Sequence, residues 1–127
     1  MEKKKLGKFG EDLAVKYLRS KGYKILERNF CFYFPKNKLK GEIDIVAQKG
    51  KIIFFFEVKT LKENENFLPE DKFDLKKKKN LIFGAKVWLL KNKIPLDSEW
   101  QIDFLGIRFD EKNFKISHFE NVIEDSF

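Results

Sequence analysis

Two apolar runs joined by a short turn constrain this chain more than anything else in it. They are Gly41-Glu42-Ile43-Asp44-Ile45-Val46-Ala47 and Ile52-Ile53-Phe54-Phe55-Phe56-Glu57-Val58-Lys59, separated by Gln48-Lys49-Gly50-Lys51. The connection has the length and the glycine of a β-hairpin turn. With Lys49-Gly50 as a two-residue loop, Gln48 faces Lys51 and Asp44 faces Phe55. Side chains alternate along a strand, so Asp44, Glu57 and Lys59 share one face. Asp44 and Glu57 are then diagonal cross-strand neighbours, roughly 7–8 Å apart at the backbone. A three-residue turn with a bulge would instead shift the pairing by one and send Asp44 to the other face.

Paired carboxylates in a partly apolar setting repel, and one of them takes up a proton unless a cation neutralises both. Hard divalent ions favour oxygen ligands, and Mg²⁺ is typically held by one or two carboxylates together with waters and substrate phosphates. Lys59 is placed to hold a phosphate oxygen or an attacking water, and such a group stabilises charge developing in a phosphoryl transition state. The plainer reading is a solvated hairpin end in which Glu57 and Lys59 form an ordinary surface pair.

These residues resemble the PD-(D/E)XK nuclease superfamily, with Asp44 as the acid of the first site strand and Glu57-Val58-Lys59 as the E-x-K half. Gly41-Glu42-Ile43-Asp44 followed by Phe56-Glu57-Val58-Lys59-Thr60 looks more closely like the YraN family of small bacterial proteins, itself similar to archaeal Holliday-junction resolvases. The resemblance implies a restriction-endonuclease-like core and a metal, Mg²⁺ or Mn²⁺, held by Asp44, Glu57 and the backbone carbonyl of Val58. Lys59 would assist the attacking water. Gly7-x-x-Gly10-Glu11-x-x-Ala14 matches the family's opening motif and implies Glu11 as a third acid near the metal; the alternative is an exposed acid near the start of a helix. Ile43 stands where the superfamily often has proline, and Cys31 where relatives have arginine.

With 127 residues the chain is expected to form one nuclease-like domain, 1–127, with a sheet and two or three helices. Fifteen phenylalanines supply core volume and exclude disorder. No apolar run is long enough to span a membrane and the lysine-rich start lacks a signal peptide's apolar region, so a cytoplasmic protein without a membrane partner is expected. Cys31 is the single cysteine, which allows no internal disulfide, and it reads as a partly buried strand residue.

The net charge is +7, and its lysines cluster at Lys3-Lys4-Lys5, in 36–40 and at Lys76-Lys77-Lys78-Lys79. Such blocks suit a polyanion, and DNA is the expected partner. Binding through Lys76, Lys77, Lys78 and Lys79 would weaken steeply with salt. No small-molecule cofactor is expected, and a homodimer is left open.

In chain order, Leu6, Gly10, Leu13, Ala14, Tyr17 and Leu18 recur at helical spacing, with Gly22 as the stop. Tyr23–Phe30 reads as a strand and Cys31–Lys40 as a loop. In that loop Phe32, Tyr33 and Phe34 either stack on bases or plug the sheet. A polar stretch covers Leu61–Glu70. A long helix runs from Asp71 or Asp74 to Lys91, with Leu75, Ile82, Ala85, Trp88 and Leu89 facing inward. After a loop at Asn92–Glu99, strands follow at Trp100–Ile107 and Phe114–Phe119, joined by a turn at Asp110–Asn113. Asp103 and His118 match family positions, and each reads more readily as structural.

The order αβββαββ predicts an α/β (α+β) chain with a single mixed β-sheet flanked by helices, the long helix crossing over to a fourth strand parallel to the third. The expected function is that of a metal-dependent endonuclease acting on branched or flapped DNA, with Glu11, Asp44, Glu57 and Lys59 as its site. The alternatives are a non-catalytic or partner-dependent nucleic-acid-binding accessory protein, and an interaction module whose lysines only confer solubility.

Overall fold

The computed structural model of the protein describes residues 3–36, 40–61, 75–109 and 113–123. The elements are α1 (Lys3–Ser20), β1 (Lys24–Tyr33), β2 (Lys40–Lys49), β3 (Ile52–Leu61), α2 (Leu75–Lys91), β4 (Trp100–Phe109) and β5 (Phe114–Phe119). The expected helix start at Asp71 or Asp74, most of the polar stretch after Leu61 and residues 110–112 of the last turn lie outside the described residues.

The five strands form one sheet in the order β1-β2-β3-β4-β5. β3 and β4 pair in parallel, and the other neighbours are antiparallel, so the sheet is mixed as expected. α2 lies between the two parallel strands in the chain, which is the crossover that a parallel pair requires.

Each helix covers one face. Ala14, Val15 and Leu18 of α1 pack with Ile45, Ala47, Phe54, Phe56, Leu105 and Ile107. Leu81, Ala85, Trp88 and Leu89 of α2 pack with Phe30, Phe32, Ile43, Val46, Phe55 and Phe104 on the other side. Both layers draw on β3 because its apolar run has no polar face to turn to water, as suits a strand covered on both sides.

α1 stops where Gly22 turns left-handed, at φ 92°. Tyr23 N–H donates to the Leu18 carbonyl and Gly22 N–H to the Arg19 carbonyl, the two bonds of a Schellman motif. α2 ends in the same way, with Ile94 N–H on the Leu89 carbonyl and Lys93 N–H on that of Leu90. Here a lysine, Lys93, occupies the left-handed position at φ 58°.

Several boundaries differ from expectation. The β2–β3 loop is Gly50-Lys51 rather than Lys49-Gly50, because Lys49 pairs with Ile52 and Gly50 takes the positive φ of 62°. The register therefore moves by two, and Phe55 faces Val46, not Asp44. Cys31–Tyr33 continue β1 against Lys40–Glu42 rather than forming a loop. Leu61 closes β3 as a fully buried residue instead of opening a polar stretch. Cys31 is exposed, not partly buried, because its neighbours Phe30 and Phe32 take the inward positions.

Of the aromatic triplet, Phe32 and Phe34 plug the sheet. Phe32 is buried, and its ring lies where a Cβ on either Gly41 or Gly84 would meet it. Phe34 stacks on Phe83 at 5.4 Å between ring centres, and Tyr33 alone stays exposed. Among the described residues no helix is long and apolar enough to cross a membrane.

Candidate metal centre

Asp44 sits where the β2–β3 ladder ends. The last paired residues are Ile45 and Phe56, so the next rung would set Asp44 directly opposite Glu57. Instead the Val58 N–H donates to Oδ2 of Asp44 at 2.7 Å. A side chain thus replaces a backbone acceptor, and its carboxylate lies in the seam between the strands.

The strand itself makes room for this. Ile43 and Ile45 are two residues apart, yet Ile43 packs in the α2 layer and Ile45 in the α1 layer. Alternation is reset at Asp44, which turns sideways. β1 makes the same reset at Asn29, held at φ 54°, a conformation that asparagine tolerates better than most residues. Arg28 and Asn29 consequently both address α1. Arg28 bonds Asp12 at 2.7 Å and Glu11 at 3.4 Å, while the Asn29 amide donates to Glu11 at 3.2 Å and to Glu42 at 2.9 Å.

The resulting acids are crowded. Burial pushes the Asp44 carboxyl up to about 8, aided by the charges of Glu57, Glu11 and Glu42 and opposed by the Val58 hydrogen bond. Burial likewise raises Glu57, against the pull of Lys77 and Lys59. Lys77 Nζ lies 3.4 Å from the Glu57 carboxylate, so of the four lysines opening α2 this one reaches the candidate site. Lys76 and Lys79 are exposed and Lys78 is half-buried.

Asp44, Glu11 and Lys59 border one cavity of about 250 Å³ together with Leu6, Gly7, Val58 and Thr60. Glu11 is held there by the close approach of α1 to β3, where Gly10 lies so near Thr60 that a Cβ would meet its hydroxyl. Asp44 and Glu57, whose carboxyls are raised by burial and neighbouring charge, are oxygen donors of the kind that suit a hard cation. The sequence reading missed Glu42 and the amide of Asn29 that ties it to Glu11. Asn29 carried the one available signal, as a residue able to adopt a left-handed conformation within a strand.

A second group lies under the other end of α1. One donor atom each from Asp103, His118 and Glu120 falls within 4.8 Å of the other two, so these residues could hold a metal ion. Asp103 is fully buried, and no buried side-chain polar atom among the described residues lacks a hydrogen-bond partner.

The mixed sheet, the helix on either face and the acids past the end of the β2–β3 ladder define an α+β protein with a preformed arrangement of carboxylates. The chain belongs to the uncharacterised protein family UPF0102, the YraN family, whose profile matches residues 10–111. It is similar to a UPF0102 protein of Flavobacterium psychrophilum, 40% identical over 91% of each chain. It is also similar to one of Carboxydothermus hydrogenoformans, 36% identical over 98% of this chain and 99% of the relative. A relative from Fervidobacterium nodosum is 43% identical over 94% of this chain and 82% of its own.

Proposed function

We propose that the protein is a metal-dependent endonuclease acting on DNA, with branched or flapped structures as substrates. The observation that carries this reading is the half-buried Asp44 carboxyl, which accepts the Val58 N–H at 2.7 Å just past the last β2–β3 pair and is pushed up to about 8 by burial and the charge of Glu57. Such a group is costly unless a cation offsets it. Mg²⁺ or Mn²⁺ held by Asp44, Glu57 and the backbone carbonyl of Val58, the residue after Glu57, would supply Lewis acidity at the scissile phosphate and a more acidic water. Lys59 has donors and no lone pair, so its part is to stabilise charge on the nucleophile or the transition state rather than to bind metal. Glu11 adds negative potential at the cavity mouth. The lysines opening α2 hold the phosphate backbone, and they read no bases.

Calorimetric Mn²⁺ titration followed by cleavage assays on flap and four-way-junction DNA tests the proposal. Metal binding should collapse in Asp44→Asn and Glu57→Gln, and persist or tighten in Lys59→Ala, where a neighbouring positive charge is gone. Cleavage should vanish in all three. Unchanged Mn²⁺ binding in both carboxylate variants would remove the site.

One observation favours a partner-dependent accessory protein as the second reading. Glu57 is ion-paired to Lys77 in this conformation, so a lysine already takes the place of a cation. Intact Mn²⁺ binding without cleavage of any substrate would select that reading.

A further inference from the structure

We propose a second metal centre, of the Zn²⁺ class, built on His118 and Glu120 beneath the C-terminal end of α1. The cavity there measures about 290 Å³ and is bordered by Tyr17, Lys21, Tyr23, Lys49, His118 and Glu120.

His118 is held as metal-binding histidines are. Its Nε2 lies 2.8 Å from Oδ2 of Asp103. Oδ1 of Asp103 already accepts from Gln101 Nε2 at 2.7 Å and from the Asn121 N–H at 2.8 Å, so this carboxylate is fixed as an acceptor. Nε2 therefore carries the proton, and Nδ1 presents its lone pair. In this conformation that lone pair accepts a hydrogen bond from the Tyr17 hydroxyl at 3.1 Å, which an incoming cation replaces; both residues border the cavity. A buried carboxylate on one ring nitrogen of a cavity-lining histidine is the support found in the carboxylate–histidine–metal arrangement, in which the carboxylate fixes the tautomer and strengthens the ligand. The ring is braced by Phe56 and Tyr23, with centroids at 5.7 and 6.4 Å.

Nδ1 of His118 and the carboxylate of Glu120 are the protein ligands, with the Tyr17 oxygen adjacent as a third donor and water in the remaining positions. Nitrogen and oxygen donors together select Zn²⁺, Co²⁺ or Cu²⁺ over Mg²⁺. Lys21 and Lys49 oppose a cation, but both are exposed at the rim, with their ammonium groups over the Tyr17 and Tyr23 rings at 5.9 and 5.0 Å. Exposed charges are screened within about 8–10 Å by physiological salt, whereas the charge of the buried Asp103 is screened far less. Of the three residues grouped with donor atoms within 4.8 Å, Asp103 is assigned as a positioning residue, because both its oxygens are already taken by His118, Gln101 and the Asn121 N–H. This centre uses none of the residues of the Asp44–Glu57 seam and does not depend on the function proposed for it.

The test uses the full chain carrying Asp44→Asn and Glu57→Gln, so that the seam contributes no metal binding. Zn²⁺ and Mg²⁺ are titrated calorimetrically, and Co²⁺ is followed by its visible d–d absorption. Zn²⁺ should bind at least tenfold more tightly than Mg²⁺, and Co²⁺ should develop bands that report nitrogen and oxygen ligation. His118→Ala should abolish both signals. Glu120→Gln, at an exposed position that leaves the fold intact, should weaken Zn²⁺ at least tenfold. Asp103→Asn should weaken it about 10–100-fold while the Co²⁺ bands survive at higher concentration. Equal affinity for Zn²⁺ and Mg²⁺, or Zn²⁺ binding unchanged in Glu120→Gln, overturns the proposal.

Discussion

The Val58 N–H donates to Oδ2 of Asp44 at 2.7 Å, occupying the place where the next rung of the β2–β3 ladder would form. One carboxylate therefore both ends the strand pairing and faces the candidate cavity. Strand β2 continues to pair with β1 as far as Lys40, so the split opens on one side only. An acid placed in this way is positioned by main chain on both flanks, as a functional group held to a fraction of an ångström must be.

The first prediction concerns pH. The Asp44 carboxyl is raised from 3.8 to about 8 in the folded chain. Across that window the folded state keeps a proton that the unfolded state has released, so stability falls as pH rises from about 4 to about 8 and is level above. Asp44→Asn removes the ionisation. In metal-free buffer its melting temperature should exceed that of the wild type by about 3–8 °C at pH 8, with the gap narrowing towards pH 4. Thermal melts in chelator across this range measure it, and parallel profiles would show that Asp44 does not titrate as described.

A second prediction concerns DNA. Replacing Lys76, Lys77, Lys78 and Lys79 by Gln should flatten the dependence of log affinity on log salt by about 0.9 for each lysine that contacts a phosphate. The loss should be similar for unrelated duplex sequences, since phosphate contacts carry no base information. Fluorescence anisotropy at several salt concentrations gives both quantities.

Gly10 provides a third. A Cβ there would meet the Thr60 hydroxyl, so Gly10→Ala must push α1 away from β3 and carry Glu11 away from Asp44. The expected cost is about 1–3 kcal/mol. Thr60→Ala in the same chain clears the obstruction and should restore most of it. Denaturant midpoints of the two single variants and the double variant decide the matter through their non-additivity.

Lys93 supplies the fourth. It holds a left-handed conformation at the end of α2, where glycine would carry no steric penalty. Lys93→Gly should stabilise the chain by about 0.5–1 kcal/mol, measured as a shift in urea midpoint at constant slope.

Much of the architecture was legible because apolar periodicity marks buried faces directly. Ala14, Leu18, Ala85 and Leu89 repeat at the helical interval, and the long apolar run of β3 announced a strand covered on both sides. The hairpin register was misjudged because Gly50 can serve either position of a two-residue loop, and only the strands fix which. An error of two preserved the parity of the side chains, yet parity is not what brings Asp44 towards Glu57. The reset at Asn29 and Asp44 does that, and no local pattern predicts a paired break in two strands. His118 and Asp103 could not be joined from sequence, because their meeting depends on Leu105 pairing with His118 across β4 and β5, a register set by tertiary contacts.

The ring of Phe32 rests against two glycines, Gly41 on β2 and Gly84 on α2, that are far apart in the chain. The three positions form one epistatic unit, since a side chain of any size at either glycine competes with the same ring. Descent should therefore have moved them together, and relatives bearing alanine or serine at either glycine should carry a smaller residue in place of Phe32. Where the ring is lost, the junction between the β1–β2 hairpin and the crossover helix must be filled from elsewhere. Such lineages are the ones in which the aromatic segment closing β1 is freed to change its role.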